Sequence, residues 1–406
     1  MDSNEKKISI ALLIALIGFP QISETIYTPA LPSVAAGLHT TANLVEATLS
    51  IYFLGFAFGV LLWGAFSDYS GRKIAMLLGI ILYGLGTFGC ANVESVEFLL
   101  MWRFLQAFGA SVGSVITQTI LRDVYSGAKK TQIFSIMSGA LAFSPAFGPF
   151  IGGFISDYFG WRANFWILLV LAIYIGIWTL TSLPETRPKN FSTLSFAKIL
   201  GLFKEMITNK CLWGHVLLIG ATNGILFGFY QEAPFIFIEH LGITSTSYGF
   251  LGLIIAAATL FAARFSCQKS SDFSAESIVQ LGVRYVFIGS IFLALIVLTG
   301  IIQIKIFGLL SVSAILFLIF FGVGLIVPNS LSQALKAYQH VAGTASSLFG
   351  CGYYIVIAFS TWLLSVLHNG TLFPLPFYIM FLGLILIVGS RLTCVQISLA
   401  AKFSKN

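Results

Sequence analysis

Charged residues are scarce in this chain. They make up 9 % of its 406 residues, whereas hydrophobic residues make up 57 % and the mean hydropathy is +0.94. A soluble domain usually carries about 25 % charged residues, so this chain could not cover its own surface in water. The composition excludes a soluble enzyme, a disordered scaffold and a secreted disulfide module, and it predicts a polytopic α-helical membrane protein.

Several sequence motifs are also missing. No Gly-Lys dipeptide occurs, which excludes a Walker A loop and a fused ATPase. The five histidines are scattered and none is followed by Glu, so we expect no metal site. The five cysteines are scattered too, and they indicate no disulfide framework. We therefore expect no cofactor, and a transporter with these features must draw its energy from an ion gradient or a substrate gradient.

Apolar segments of the length that spans a bilayer, roughly 20 residues, recur along the chain. Six are predicted before the polar segment 184–210, at 8–28, 47–66, 74–92, 98–121, 132–155 and 163–183, and six after it, at 211–235, 248–266, 280–302, 306–328, 343–367 and 374–394. The pattern predicts an all-α membrane fold of twelve transmembrane helices in two pseudo-symmetric six-helix bundles, 1–183 and 211–406. Residues 184–210 are the expected cytoplasmic central loop, with an amphipathic helix over 194–207.

The positions of the 22 Lys and Arg residues orient these spans. With both termini in the cytoplasm, the basic residues fall almost entirely on cytoplasmic loops; Arg162 and Lys305 lie outside, and Arg103 lies within a span. The net charge of +7 thus reflects membrane topology, and no nucleic-acid partner is expected. We expect a multi-pass protein of the cell inner (plasma) membrane, monomeric in the lipid bilayer, whose partners are a small-molecule substrate and protons.

Ionisable residues inside predicted spans are costly and therefore indicate function. Glu24 and Arg103 lie at similar depths in the outer half, so they can form either a proton-sensitive pair or a static ion pair. Gln106 shares a helix face with Arg103. Glu232 lies near the outer edge of its span, as a solvated residue or as a second proton or cation site. These four residues are the predicted proton-coupling group.

Three further groups of residues are predicted to act in transport. A cytoplasmic gate, in which small and charged residues form a clasp between spans 2 and 3, consists of Gly64, Asp68, Gly71, Arg72 and Lys73. Glycines and prolines that bend span 5 and let it pack closely are Pro145, Gly148, Pro149, Gly152 and Gly153. Polar and aromatic candidates to line a substrate cavity, or else to bond neighbouring helices, are Tyr27, Asn223, Tyr230, Gln231 and Asn329.

These motifs together resemble the major facilitator superfamily. The loop over 64–73 matches its signature G-x-x-x-D-x-x-G-R-K, Arg103-Phe-Leu-Gln106 resembles its R-x-x-Q motif, and Gly148-Pro-x-x-Gly152-Gly resembles the antiporter motif of drug/proton exchangers. More narrowly, Tyr27-Thr-Pro-Ala-Leu-Pro and Pro184-Glu-Thr resemble the Bcr/CflA drug-resistance transporters. Thr25 stands where that group usually has an acid, and Glu24 precedes it.

The resemblance implies alternating access and proton-driven export of small, drug-like or amphipathic molecules. It implies a cytoplasmic clasp at Asp68 and Arg72, proton coupling at Arg103 and Gln106, and the antiporter motif at Gly148, Pro149 and Gly152. The alternatives are export of an endogenous metabolite or siderophore, and proton symport that imports a small solute. A passive channel and a membrane-embedded enzyme are other classes, but no cluster of His, Asp and Glu marks the sequence as an enzyme.

Overall fold

The computed structural model describes residues 8–187, 196–301 and 305–403, and within these ranges it consists of helices and short connections. The helices of the first half are α1 (Ile10–Thr25), α2 (Leu31–Gly37), α3 (Ala42–Ser70), α4 (Arg72–Ala91), α5 (Val96–Val124), α6 (Gly127–Phe159) and α7 (Arg162–Ser182). After α8 (Phe196–Thr208), those of the second half are α9 (Lys210–Pro234), α10 (Ser245–Gly249), α11 (Leu251–Lys269), α12 (Ala275–Leu298), α13 (Lys305–Ala334), α14 (Ala342–Leu367) and α15 (Pro374–Phe403).

Eleven helical segments of the described ranges are long and apolar enough to cross a membrane. α6, a helix of 33 residues, occupies the place of the predicted fifth span and continues through both of its prolines. The side chain of Pro145 and residues 188–195 of the central loop lie outside the described residues. The predicted helix in that loop is confirmed as α8, whose Met206 is buried with Leu212 and Tyr338.

Two predicted boundaries near the functional residues are wrong. The first span does not end at residue 28 but continues through a short 3₁₀ turn, Thr28–Ala30, into α2. Pro29 and Pro32 are the second residues of these segments, within the first turn, where a missing N–H group breaks no helical hydrogen bond. The second span begins at Ala42 rather than at 47, so Glu46 belongs to the helix.

The up-and-down course of the helices gives the molecule two distinct ends. The end where α3 meets α4 carries Arg72, Lys73 and Arg122 and is called the basic end. The end where α14 meets α15 is called the opposite end. α3 and α14 run side by side and join the two halves, as do α6 and α10.

Candidate functional site

Arg103 lies buried in the first half, held by two aromatic rings and one amide. Its guanidinium carbon is 4.3 Å from the ring centroid of Tyr27 and 4.2 Å from that of Tyr52. One guanidinium nitrogen donates to Oε1 of Gln106, whose Nε2 donates to Thr87 Oγ1 at 2.9 Å. Arg103 and Gln106 therefore lie on the same face of α5, as predicted. Two stacked rings can stabilise a cation where water is excluded.

The predicted contact between Glu24 and Arg103 is not an ion pair in this conformation. Both side chains are buried, and the structure describes no hydrogen bond or salt bridge between them. Oε1 of Glu24 and both Nε and Nη2 of Arg103 lack hydrogen-bond partners within the described part of the chain. In place of a carboxylate, the rings of Tyr27 and Tyr52 pack against the guanidinium.

The glycines of α6 allow it to contact the backbone of α1. A Cβ atom added at Gly148 would lie against the Thr25 side chain, and one added at Gly152 would overlap the carbonyl oxygen of Ile26. One added at Gly153 would lie 2.3 Å from the carbonyl oxygen of Ser245, in the second half. The antiporter-like sequence is thus a surface of close contact with α1 and, through Gly153, with α10.

A network of charges forms at the basic end around Arg72, which is 1 % exposed. Its Nε donates to Oδ2 of Asp123 at 2.9 Å, and its Nη1 donates to Oδ1 of Asp68 and to Ser67 Oγ. Gly71 adopts φ +99°, a conformation that favours glycine, and turns the chain from α3 into α4. The predicted clasp of Asp68, Gly71 and Arg72 is therefore assembled, with Asp123 as an additional member.

The N-terminus of α4 is capped by Glu185, which comes from the segment after α7. Its Oε1 accepts the backbone N–H of Arg72 at 2.9 Å, and its Oε2 accepts that of Lys73 at 3.2 Å. Partial burial alone would raise the pKa of Glu185, but the N–H groups of Arg187, Arg72, Lys73 and Thr186 outweigh it and lower the pKa. The Pro-Glu-Thr sequence thus contributes a cap to a helix more than a hundred residues earlier.

Replacing Glu185 by alanine is expected to lower stability by about 0.5 kcal/mol at neutral pH, the low end for a lost cap because the side chain is exposed. Since folding lowers its pKa, the contribution is present above the ordinary value of 4.5 and disappears as the pH falls below it. Thermal unfolding curves of the purified wild type and of Glu185→Ala, recorded from pH 7 to pH 3.5, should show their unfolding temperatures converge as the pH falls. Glu94→Ala, an exposed carboxylate at the opposite end, should behave like the wild type throughout.

At the opposite end, side chains from α3, from α9 and from the residue after α14 meet in one buried group, which we call the Glu46 cluster: Glu46, Gln231, Glu232 and His368. Nδ1 of His368 lies 3.0 and 3.1 Å from the two carboxylate oxygens of Glu232 and 3.0 Å from Oε1 of Glu46. Gln231 Nε2 donates to Oε2 of Glu46 at 3.1 Å. Glu232 is 1 % exposed, so its interpretation as a solvated residue is wrong.

Further contacts near the Glu46 cluster join the two halves. Asn43 Nδ2 donates to the carbonyl oxygens of Ser365 at 2.7 Å and His368 at 2.8 Å, at the C-terminal end of α14. Within the second half, Gln231 also donates to the carbonyl oxygen of Thr361. Oδ2 of Asp157 accepts from Thr246. These polar contacts close the opposite end in this conformation.

The five predicted cavity residues are not brought into one pocket. Tyr27 belongs to the Arg103 group and Gln231 to the Glu46 cluster. Asn329 donates to Ser266 Oγ at 2.9 Å and thereby bonds α13 to α11, and Asn223 donates to a carbonyl of its own helix. Tyr230 is buried in the second half. Asn329 thus has a helix-bonding role, the alternative to lining a cavity.

The comparison with known families settles the class of protein. A profile described as Major Facilitator Superfamily matches residues 13–361. The chain belongs to this superfamily.

Individual members of the superfamily resemble the chain over most of its length. It is 37 % identical over 378 residues to an uncharacterized transporter of Rickettsia bellii, covering 90 % of this chain and 91 % of that one. It is 30 % identical over 374 residues to a chloramphenicol resistance protein of Pseudomonas aeruginosa, covering 91 % and 86 %. The xylose transporter XylE of E. coli, in a partially occluded inward-open conformation, superposes with a TM-score of 0.71 at 14 % identity, covering 94 % and 96 %.

These findings confirm the predicted fold and the resemblance to Bcr/CflA-like drug-resistance transporters. The superfamily is one of transporters, so the chain is a multi-pass membrane transporter and not an enzyme. Sequence reasoning found Glu232 and Gln231 as candidates but missed Glu46 and His368, which join them in the Glu46 cluster. Its one available signal was a third acidic residue, Glu46, next to the predicted start of the second span.

Proposed function

We propose that this transporter exports small, drug-like or amphipathic molecules in exchange for protons, by alternating access. In this proposal the protein lies in the cell inner membrane with the basic end and both termini in the cytoplasm, as the distribution of Lys and Arg favours. The chloramphenicol resistance protein, similar to this chain over 374 residues, supports a drug-like cargo. No cofactor takes part, because the proton gradient supplies the energy.

The observation that carries the proton coupling is the buried, incompletely bonded state of Glu24 and Arg103. An ionised carboxylate without a partner is costly in a buried position, and binding a proton removes that cost. A negative Glu24 would instead attract the guanidinium of Arg103, which two rings and Gln106 now hold. Gaining or losing one proton therefore favours different arrangements of α1 and α5. Glu232, the fourth residue predicted for this role, lies in the Glu46 cluster instead.

The contact of α6 with α1 suggests how such a change spreads to the second half. Gly148 and Gly152 lie directly against Thr25 and Ile26, the residues that follow Glu24. Gly153, on the same helix, lies against Ser245 of the second half. In the proposed cycle, a shift of α1 moves α6 and loosens the closed opposite end, because these backbones are too close to move independently.

Purified protein in proteoliposomes tests this function. Adding phenicols, amphipathic cations, sulfonamides or siderophores one at a time should drive proton movement with at least one compound, and Glu24→Gln should reduce it to the level of empty liposomes. Glu94→Gln is the control, since Glu94 is exposed. Substrate-driven proton movement that persists in both Glu24→Gln and Arg103→Ala would refute the assignment, and counterflow in the opposite direction would indicate a symporter.

A further inference from the structure

With both carboxylates ionised, the Glu46 cluster contains more negative charge than its own residues neutralise. Two carboxylates, Glu46 and Glu232, share a single imidazole, that of His368. Even a protonated His368 would leave one uncompensated negative charge among side chains that are 0 %, 1 % and 8 % exposed. Buried charge of this kind is strongly unfavourable unless a proton or a metal cation joins it. A neutral imidazole with one divalent cation would balance the two carboxylates.

Hydrogen bonding leaves the same cluster incomplete. Nδ1 of His368 can carry one hydrogen, yet three carboxylate oxygens lie at 3.0 to 3.1 Å from it. The hydrogen-bond geometry is met only toward Glu232, and Oε1 of Glu46 remains buried without a donor within the described residues. This unbonded oxygen lies inside the cluster, 3.0 Å from Nδ1 of His368.

The donor atoms have the separation that a small metal ion requires. One nitrogen and carboxylate oxygens from two residues lie within 4.8 Å of one another. Ligands at about 2.0 Å from a tetrahedral Zn²⁺ are separated by about 3.3 Å, close to the 3.0 Å between Nδ1 and each carboxylate. A set that includes imidazole suits zinc and related transition metals better than Mg²⁺ or Ca²⁺, which prefer oxygen ligands.

We propose that Glu46, Glu232 and His368 bind one divalent transition-metal cation at the opposite end, with Zn²⁺ as its probe. Gln231 supports the site from outside, since it donates to Oε2 of Glu46 and leaves Oε1 for the metal. This proposal replaces the sequence-based expectation that no metal site is present. The three ligands are far apart in the sequence, so no spacing motif could reveal them.

Such a metal would connect the two halves. Glu46 belongs to α3 of the first half, whereas Glu232 on α9 and His368 after α14 belong to the second. The complete site exists only while the opposite end is closed, so the metal favours that conformation. Zn²⁺ on the side of the opposite end should therefore inhibit transport. This last step rests on the proposed transport function, whereas binding of the metal does not.

Equilibrium dialysis of the purified, full-length protein against ZnCl₂ tests binding without substrate or a proton gradient. We expect one Zn²⁺ per chain that is lost in Glu46→Gln and in His368→Ala, and that binds about 10-fold more weakly in Gln231→Leu. His240→Ala is the matched control, since His240 is an exposed histidine at the same end and bonds only the carbonyl of Gly370 in the described structure. Glu46→Gln keeps the size of the side chain, so it remains informative if His368→Ala does not fold.

The outcomes separate this proposal from the proposed function. Equal Zn²⁺ binding by wild type and Glu46→Gln, or no binding by wild type, would overturn the metal site and leave the transport assay unaffected. Zn²⁺ that inhibits transport in the wild type and His240→Ala but not in Glu46→Gln would confirm the connection between the halves. Zn²⁺ that binds with the expected stoichiometry and leaves transport unchanged would overturn that connection.

Discussion

Replacing Gly152 by alanine is expected to destabilise the protein by about 3 kcal/mol and to abolish transport. The added Cβ would overlap the carbonyl oxygen of Ile26 and lie 2.6 Å from its carbonyl carbon. Both are backbone atoms, which cannot rotate away as a side chain can, so α1 and α6 would have to separate. Thermal unfolding of the purified protein, followed by transport in proteoliposomes, measures the two effects.

Gly176 provides the control for this substitution, because it is also a glycine inside a transmembrane helix. A Cβ there would meet only Cγ2 of Ile80, at 3.5 Å, which is an ordinary contact. Gly176→Ala should therefore be neutral or slightly stabilising, since alanine favours helix over glycine. If Gly152→Ala unfolded at the wild-type temperature and transported normally, the close contact of α1 and α6 would not be essential.

Replacing Arg72 by methionine is expected to cost about 3 kcal/mol, the lower range for removing one partner of a buried ion pair. The guanidinium lies between Asp68 and Asp123, whose side chains are 33 % and 13 % exposed, and its loss would leave two carboxylates facing each other. The exposure of Asp68 keeps the effect at the lower range. Arg72→Lys should recover only part of the stability, because an ammonium lacks the fork that bonds both carboxylates.

Arg187→Met is the matched control at the same end. Arg187 is exposed and donates to the carbonyl oxygen of Tyr69, so its removal should shift the unfolding temperature little. Unfolding curves in one detergent for Arg72→Met, Arg72→Lys and Arg187→Met form the complete test. Similar unfolding temperatures for Arg72→Met and Arg187→Met would show that the charge network contributes little to stability.

The spans and the local motifs could be predicted from the sequence because their causes are local. Hydropathy over about 20 residues identifies a transmembrane helix, and a spacing of three residues places Arg103 and Gln106 on one face. The small and charged residues around Gly71 likewise indicate a tight turn with a charge network. What these patterns cannot give is the partner from a distant segment, as Asp123 and Glu185 are for Arg72.

The assembly of the Glu46 cluster could not be predicted from the sequence for a related reason. Glu46 lies just outside the predicted second span, which begins at residue 47. Glu232 lies near the predicted outer edge of its own span. Their burial depends on how α3, α9 and α14 pack, which hydropathy does not encode. The missing ion pair of Glu24 and Arg103 has the same origin: their depth could be estimated, but not the rings of Tyr27 and Tyr52 that surround the guanidinium.

The opposite end is held closed partly by hydrogen bonds to main-chain carbonyl oxygens, which every amino acid provides. Asn43 donates to the main-chain oxygens of Ser365 and His368, at the C-terminal end of α14, where carbonyls lack intrahelical partners. Gln231 donates to the main-chain oxygen of Thr361, one turn earlier. Substitutions at Thr361 and Ser365 leave those oxygens in place, so these positions can diverge among relatives while the donors stay constant. Variable side chains over residues 361–368 would therefore not mean that this segment is unimportant for closing the opposite end.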